Sequence, residues 1–306
     1  MRISPIVWCP LYLIVMLSSC DRKVSERTAK PSSAQIKSIM ESVHDPIEED
    51  GKVNYVKEIA QDSVLNRWVF DKKGRIINEE EYNSRGALIS QSLYSYNQRG
   101  HLIETNVYHY KNLYRKSINK FDAEGRLIET QMVDSHNEIK EKKSISFDDK
   151  GYRMERNYSS IGANLVLDQE QIFNPKGKNT ENRFFSNGTL LFTELNDFDQ
   201  RGNRVECIRS SSSGNEQSIK QFKYDNQNNN VETIQLNNGF MIQSRMVYKY
   251  DKQGNRIESL SYATTGKLLN NFTMLYEYDE VGHWIRKTTV EGNQPVSVTV
   301  RNIIYY

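Results

Sequence analysis

The sequence predicts an all-β fold: a long antiparallel β-meander of about 18–20 strands, built from nine repeats of about 26 residues and curled into a curved or spiralling single sheet. Three observations lead there. One short turn recurs nine times between residues 70 and 282, a weaker turn falls midway through each unit, and the residues between turns alternate in polarity.

The principal turn reads aromatic, Asp or Asn, two variable residues, then Gly. Its copies begin at Phe70-Asp71, Tyr96-Asn97, Phe121-Asp122, Phe147-Asp148, Phe173-Asn174, Phe198-Asp199, Tyr224-Asp225, Tyr250-Asp251 and Tyr278-Asp279. They close on Gly74, Gly100, Gly125, Gly151, Gly177, Gly202, Asn228, Gly254 and Gly282, in steps of 26, 25, 26, 26, 25, 26, 26 and 28 residues. This wording fits a type I turn followed by a left-handed residue. The Asp or Asn side chain accepts hydrogen bonds from backbone N–H groups two or three residues on, and the closing residue takes a positive φ. Asn228 supports that geometry, since Asn tolerates positive φ best after Gly.

The second turn is marked by Gly86, Asn112, Asn137, Gly162, Gly188, Gly214, Gly239, Gly266 and Gly292, so each unit is a pair of strands. Between turns, Phe240, Ile242, Met246, Tyr248 and Tyr250 alternate with Met241, Gln243, Arg245 and Lys249, a period of two that a helix cannot use. Charged residues interrupt the apolar face: Glu141 and Lys143 lie in line with Ile139, Ile145 and Phe147. Unpaired burial would cost several kcal/mol each, so they are read as facing water.

Ahead of the array, residues 1–19 read as a signal peptide: Arg2, an apolar run from Ile6 to Leu17, then Leu17-Ser18-Ser19-Cys20. The run is too short for a permanent membrane helix. Residues 20–50 form a polar tether in which Ile36, Ile39, Met40 and Val43, spaced by three and four, predict a short amphipathic helix capping an edge strand. Val53 to Ile59 reads as a first strand, and residues 51–306 form one repeat domain.

Loss of residues 1–19 removes only Arg2, taking the formal net charge from +2 to +1. A near-neutral chain without a basic stripe argues against nucleic acid as a partner. Of the three cysteines, Cys9 leaves with the signal and Cys20 occupies the cleavage site, which leaves Cys207 without a partner for an internal disulfide. Cys207 sits in a strand-like run and is read as a small buried hydrophobe.

Two resemblances follow. Leu17-Ser18-Ser19-Cys20 resembles the lipobox of bacterial lipoproteins, which implies that Cys20 becomes the lipidated first residue. The nine turns, often followed by Asn or Arg and then by Ile, Leu or Val, resemble the YD repeats of Rhs-type proteins over residues 68–306. Phe184-Phe185-Ser186-Asn187-Gly188-Thr189-Leu190 is also similar to the second type of MORN repeat. Rhs-type members form spiral sheets that enclose toxins or bind carbohydrate and partner surfaces. This chain has far fewer repeats and lacks a recognisable self-cleaving segment or toxin domain, which argues against a toxin shell.

No catalytic or cofactor motif emerges. His44, His101, His109, His136 and His283 show no metal-ligand spacing, and His101 and His283 fill a polar slot just after a turn. Asp148-Asp149 and Glu79-Glu80-Glu81 are adjacent residues that point to opposite faces, so paired acid chemistry is not expected. Trp68 and Trp284, near the first and last turns, are candidates for stacking on sugars or, failing that, for covering end strands. The expectation is a non-enzymatic lipoprotein of the bacterial envelope, on the outer membrane or cell surface rather than the inner membrane. Its array would offer a scaffold for glycan or protein. The alternative is a toxin-delivery accessory or immunity protein of Rhs type.

Overall fold

The computed structural model describes residues 35–306, apart from 50, 57, 58, 61, 62, 163 and 215. The signal segment 1–19, Cys20 and residues 21–34 lie outside the described residues. Those described contain strands and turns and no helix. Twenty-two strands run from β1 (Ile36–His44) to β22 (Gln294–Tyr305). Two of them, β2 (Pro46–Glu49) and β3 (Lys52–Tyr55), pair only with each other. The other twenty form one antiparallel sheet.

That sheet closes. From β4 (Leu65–Phe70) onward each strand pairs with the next as far as β22, and β1 pairs with both ends: Ile39 opposes Ile303 on one side and Trp68 on the other. Twenty strands about 4.8 Å apart give a perimeter near 96 Å and a diameter of roughly 30 Å before strand tilt. The expectation of an open curved or spiralling sheet is therefore corrected to a closed barrel. An open meander would leave two rows of unpaired backbone groups, and the segment before the array satisfies both.

The same strand corrects the predicted helix within residues 20–50. The spacing of Ile36, Ile39, Met40 and Val43 is compatible with either period over one short segment. Pairing to two neighbours outweighs local helix preference, so the repeat domain reaches back to Ile36. Of the predicted strand from Val53 to Ile59, Val53 to Tyr55 belong to β3 in a small hairpin, and residues 57 and 58 lie outside the described residues. That hairpin packs on the barrel wall: Arg286 Nη2 donates to Val53 O at 2.6 Å, and the rings of His44 and Tyr55 lie 4.9 Å apart.

Principal turns gather at one rim and second turns at the other, since every hairpin is of nearly constant length. The barrel wall is one layer with little apolar core. Val298 is fully buried, while Glu80, Glu155, Asn182, Glu232 and Thr288 are buried polar groups at mid-strand. Burial of charge is met by pairing rather than by water: Lys143, expected to be solvated, lies 3.0 Å from Glu155. Glu141 is partly desolvated, which raises its pKa.

Candidate binding surface

At the principal rim each turn is fastened by its own side chain. Asp71 Oδ1 accepts from the N–H groups of Lys73 and Arg75 at 2.8 and 3.0 Å, and the same two-and-four pattern recurs at Asp148, Asn174 and Asp225. The second bond thus reaches four residues on, not three. Closing residues hold φ near +80°, with Asn228 at +64°. A further interaction links one turn to the next. The basic residue just after one turn lies over the aromatic ring of the following turn: Arg75 over Tyr96 at 4.4 Å, Arg126 over Phe147 at 4.7 Å, Arg153 over Phe173 at 3.9 Å. His101 stacks on Phe121 at 4.8 Å and His283 on Tyr305 at 5.7 Å, so the polar slot of these histidines is a stacking position.

Tyrosines add a second tie. The hydroxyls of Tyr96, Tyr224 and Tyr250 donate to the carbonyls of Ile76, Arg204 and Asn230, each 20 residues back. Tyr278 donates to Asp251 Oδ2 at 2.6 Å, and Tyr305 donates to Asp279. Burial and that hydrogen bond raise the phenols of Tyr278 and Tyr305 to about 12. Burial of Asp251 opposes its ionisation, but hydrogen bonds from Tyr278, Asn255 and the turn backbone outweigh it and hold the carboxyl below its ordinary value.

One band of residues escaped the reading of the sequence. The fourth residue after each closing position is Glu in seven successive repeats: Glu104, Glu129, Glu155, Glu181, Glu206, Glu232 and Glu258. Aligning the nine turns by their last residue shows this column directly. In the barrel it becomes a band on one face of the wall. Its cations come largely from neighbouring strands: Lys120 and Lys142 on Glu129, Lys223 and Arg245 on Glu232, and Lys249 on Glu258. In the last repeat the pair is reversed, with Arg286 in the Glu slot and Glu277 opposite it at 3.2 Å. Most of the band is thus paired with cations within the wall, while Glu206 accepts from Gln221 Nε2 at 3.1 Å.

Both tryptophans lie on the opposite face, on either side of the closing strand. Trp68 Nε1 donates to Glu79 Oε1 at 3.0 Å, and Tyr94 donates to the other oxygen of the same carboxylate at 2.8 Å. Trp284 carries the Arg301 guanidinium 3.5 Å from its ring centre and the edge of Tyr276 at 5.8 Å. One face of that indole is therefore occupied by the protein. Neither tryptophan covers an end strand, because the closed ring has none. Cys207 is a buried thiol, and burial raises its pKa. His109 stacks on Tyr114 at 4.4 Å.

Among the described residues no group of three or more His, Cys, Asp and Glu side chains is placed to hold a metal ion. Shallow clefts lie between neighbouring repeats, one lined by Asn97, Arg99, His101, Phe121 and Asp122, another by Lys249, Glu258, Met274, Leu275 and Tyr276.

The second rim differs. Its turns vary in length, and the positive φ falls at Tyr110-Lys111 rather than at Asn112, and at Phe240 rather than at Gly239. At seven of its nine tips an apolar side chain stands in solvent at or within three residues of the turn: Tyr110, Ile139, Ile161, Leu191, Phe240, Leu269 and Val296. Tyr110 and Phe240 are each 68% exposed.

No family model matches the chain, and no curated protein does. Solved structures with some likeness include a TcdB2–TccC3–Cdc42 complex, 13% identical with a TM-score of 0.36, in which the match covers 88% of this chain and 17% of that one. A TcdB2–TccC3 structure gives 13% and 0.33 over 85% of this chain and 18% of that one. A porin-like protein from Bacteroides uniformis ATCC 8492 gives 9% and 0.32 over 89% and 96%. The chain spans about a sixth of the length of the TcdB2–TccC3 chains it matches.

Proposed function

We propose that this chain is a non-enzymatic lipoprotein of the bacterial envelope, held by lipid on Cys20, whose YD-type barrel is a rigid scaffold that binds glycan or protein. The observation that carries the reading is the barrel itself: one interlocked turn, repeated nine times around a closed ring, displays the same surface chemistry at each step. Such an arrangement suits a partner met at many equivalent points more than chemistry at one. The anchor rests on Leu17-Ser18-Ser19-Cys20, and the outer membrane or cell surface is the proposed location.

Two measurements test this. Intact mass and fractionation of the wild type beside Cys20→Ala should show acyl mass on Cys20 and membrane association lost in the variant; an unmodified Cys20 would defeat the anchor. Envelope pull-downs and a glycan array should yield a saturable ligand whose binding falls when residues in the inter-repeat clefts are changed. Silence in both at high protein load would remove the scaffold reading.

A further inference from the structure

We infer that the second rim of the barrel is a membrane-interface docking surface that seats the ring on a lipid bilayer. The choice of occupant rests on the lipid-anchor reading above; the apolar rim itself does not.

Three features support it. First, exposed apolar side chains mark seven of the nine tips, whereas the principal rim exposes fewer, among them Phe147 and Tyr152, and the variable positions of its turns are mostly polar, as in Lys72-Lys73, Gln98-Arg99 and Gln200-Arg201. Second, the exposed apolar side chains are spaced apart. Neighbouring hairpins are about 10 Å apart, two strand spacings, so the rim offers separate apolar points around a ring rather than the contiguous packed centre that a protein partner needs. A yielding lipid interface accepts such points, aromatic ones above all. Third, Phe240 sits at φ +56°, where every other tip except that of Tyr110-Lys111 places Gly or Asn. The fold has no use for a large ring there, and it stands in solvent beside Met241, itself 64% exposed.

The tether decides between lipid and a second copy. Gln35 lies at the principal rim, where its carbonyl accepts from Tyr306 N and the Tyr306 hydroxyl donates to Phe70 O. Strands of about nine residues make the barrel roughly 30 Å tall. Residues 21–34 reach at most about 48 Å, enough to run down the wall to a bilayer under the second rim. Two copies joined at their second rims would place one tether origin about 60 Å from a shared bilayer, beyond that reach.

All ring pairing falls within residues 36–305, so the chain from residue 20 onward, made without its leader and carrying Cys20→Ala, keeps the whole barrel. The test is flotation of this unlipidated protein with vesicles of phosphatidylethanolamine and phosphatidylglycerol. It should float with them. Adding Phe240→Asn, Met241→Ser, Leu268→Ser and Leu269→Ser should cut the bound fraction about tenfold with the β-sheet circular dichroism and melting temperature retained. Parent protein that stays in the aqueous fraction, or a variant that floats equally well, overturns the proposal. So does a concentration-dependent dimer that the four changes abolish, which would give the rim to a second copy. Acyl mass on wild-type Cys20 is read separately, so failure of the anchor and failure of the rim are distinguishable.

Discussion

The two rims are made by the same strands and both end in hairpins, yet one has uniform turns with mostly polar tips and the other has irregular turns with more exposed apolar side chains. At the principal rim each turn leans on the next, through Arg75 on Tyr96 and Tyr96 on the Ile76 carbonyl, so a change in one loop disturbs its neighbour. At the second rim the ties between neighbours are fewer and follow no repeated pattern: Gln217 N–H donates to Asn238 Oδ1, Arg209 lies over Phe192 at 3.4 Å and Arg245 over Tyr262 at 5.1 Å. Regularity of sequence therefore tracks coupling between repeats rather than the hairpin as such.

The bluntest way to break the contrast is to open the ring, on which both rims depend. Ile39→Pro removes an N–H from the strand that pairs with both β4 and β22 and should cost about 3 kcal/mol or more, read by urea unfolding. Amide exchange should accelerate at both rims near the seam. Unchanged exchange would show that β1 is a passenger.

A sharper probe gives opposite signs at the two rims. Gly125 holds φ +86°, and a Cβ there would stand 3.0 Å from His101 Cε1, in the stack on Phe121. Gly125→Ala should destabilise by about 1–2 kcal/mol. Phe240→Gly relieves a left-handed Phe whose ring stands in solvent and should be neutral or stabilising by up to about 1 kcal/mol. Equal losses at both positions would refute the difference in coupling.

Much of the principal rim was legible because its chemistry is local. Asp71 to Gly74 specify a turn whatever surrounds it, and the period of the turns counts the hairpins. Closure was not legible, since the twentieth strand comes from outside the array and its apolar residues Ile36, Ile39, Met40 and Val43 satisfy a helical spacing equally well. The glutamate column was visible but unread: a charged mid-strand residue looks like a solvated one until its cross-strand partner, such as Lys223 opposite Glu232, is known. Nor could Phe240 be placed, because Gly239 beside it was the more natural owner of the positive φ.

Titration should also separate the rims. Backbone N–H donation from Arg75 leads the effects that hold Asp71 below its ordinary value, and from Asn203 those on Asp199. At Asp122, Asp225, Asp251 and Asp279, hydrogen bonds outweigh the opposing burial and give the same direction. A depressed folded pKa gives stability that is present above the unfolded value of about 4 and lost as pH falls through the folded one. In the corresponding slot at the second rim stand Asn83, Asp134, Ser211, Asn237 and Ala263, with one lowered carboxyl, that of Asp134. Amide exchange should therefore open the principal rim first on acidification below pH 4. Tyr278 and Tyr305 work at the other end of the scale. Their raised phenols contribute stability present below the unfolded pKa of about 10 and lost as pH rises toward 12. Tyr305→Phe should flatten that alkaline fall in melting temperature.

The smallest expected effect tests whether the stacked cations are part of the coupling or an ornament of it. Arg75 holds Asp71 through a salt bridge at 2.6 Å within its own turn and lies over Tyr96 of the next. A double-mutant cycle pairing Arg75→Gln with Tyr96→Leu separates the two roles, since only the ring contact is common to both residues. A coupling energy of about 0.5–1 kcal/mol is expected for this partly exposed pair. A value near zero would assign the order of the rim to turn hydrogen bonds and tyrosine ties alone, and the contrast between rims would then rest on backbone geometry rather than on contact between neighbouring repeats.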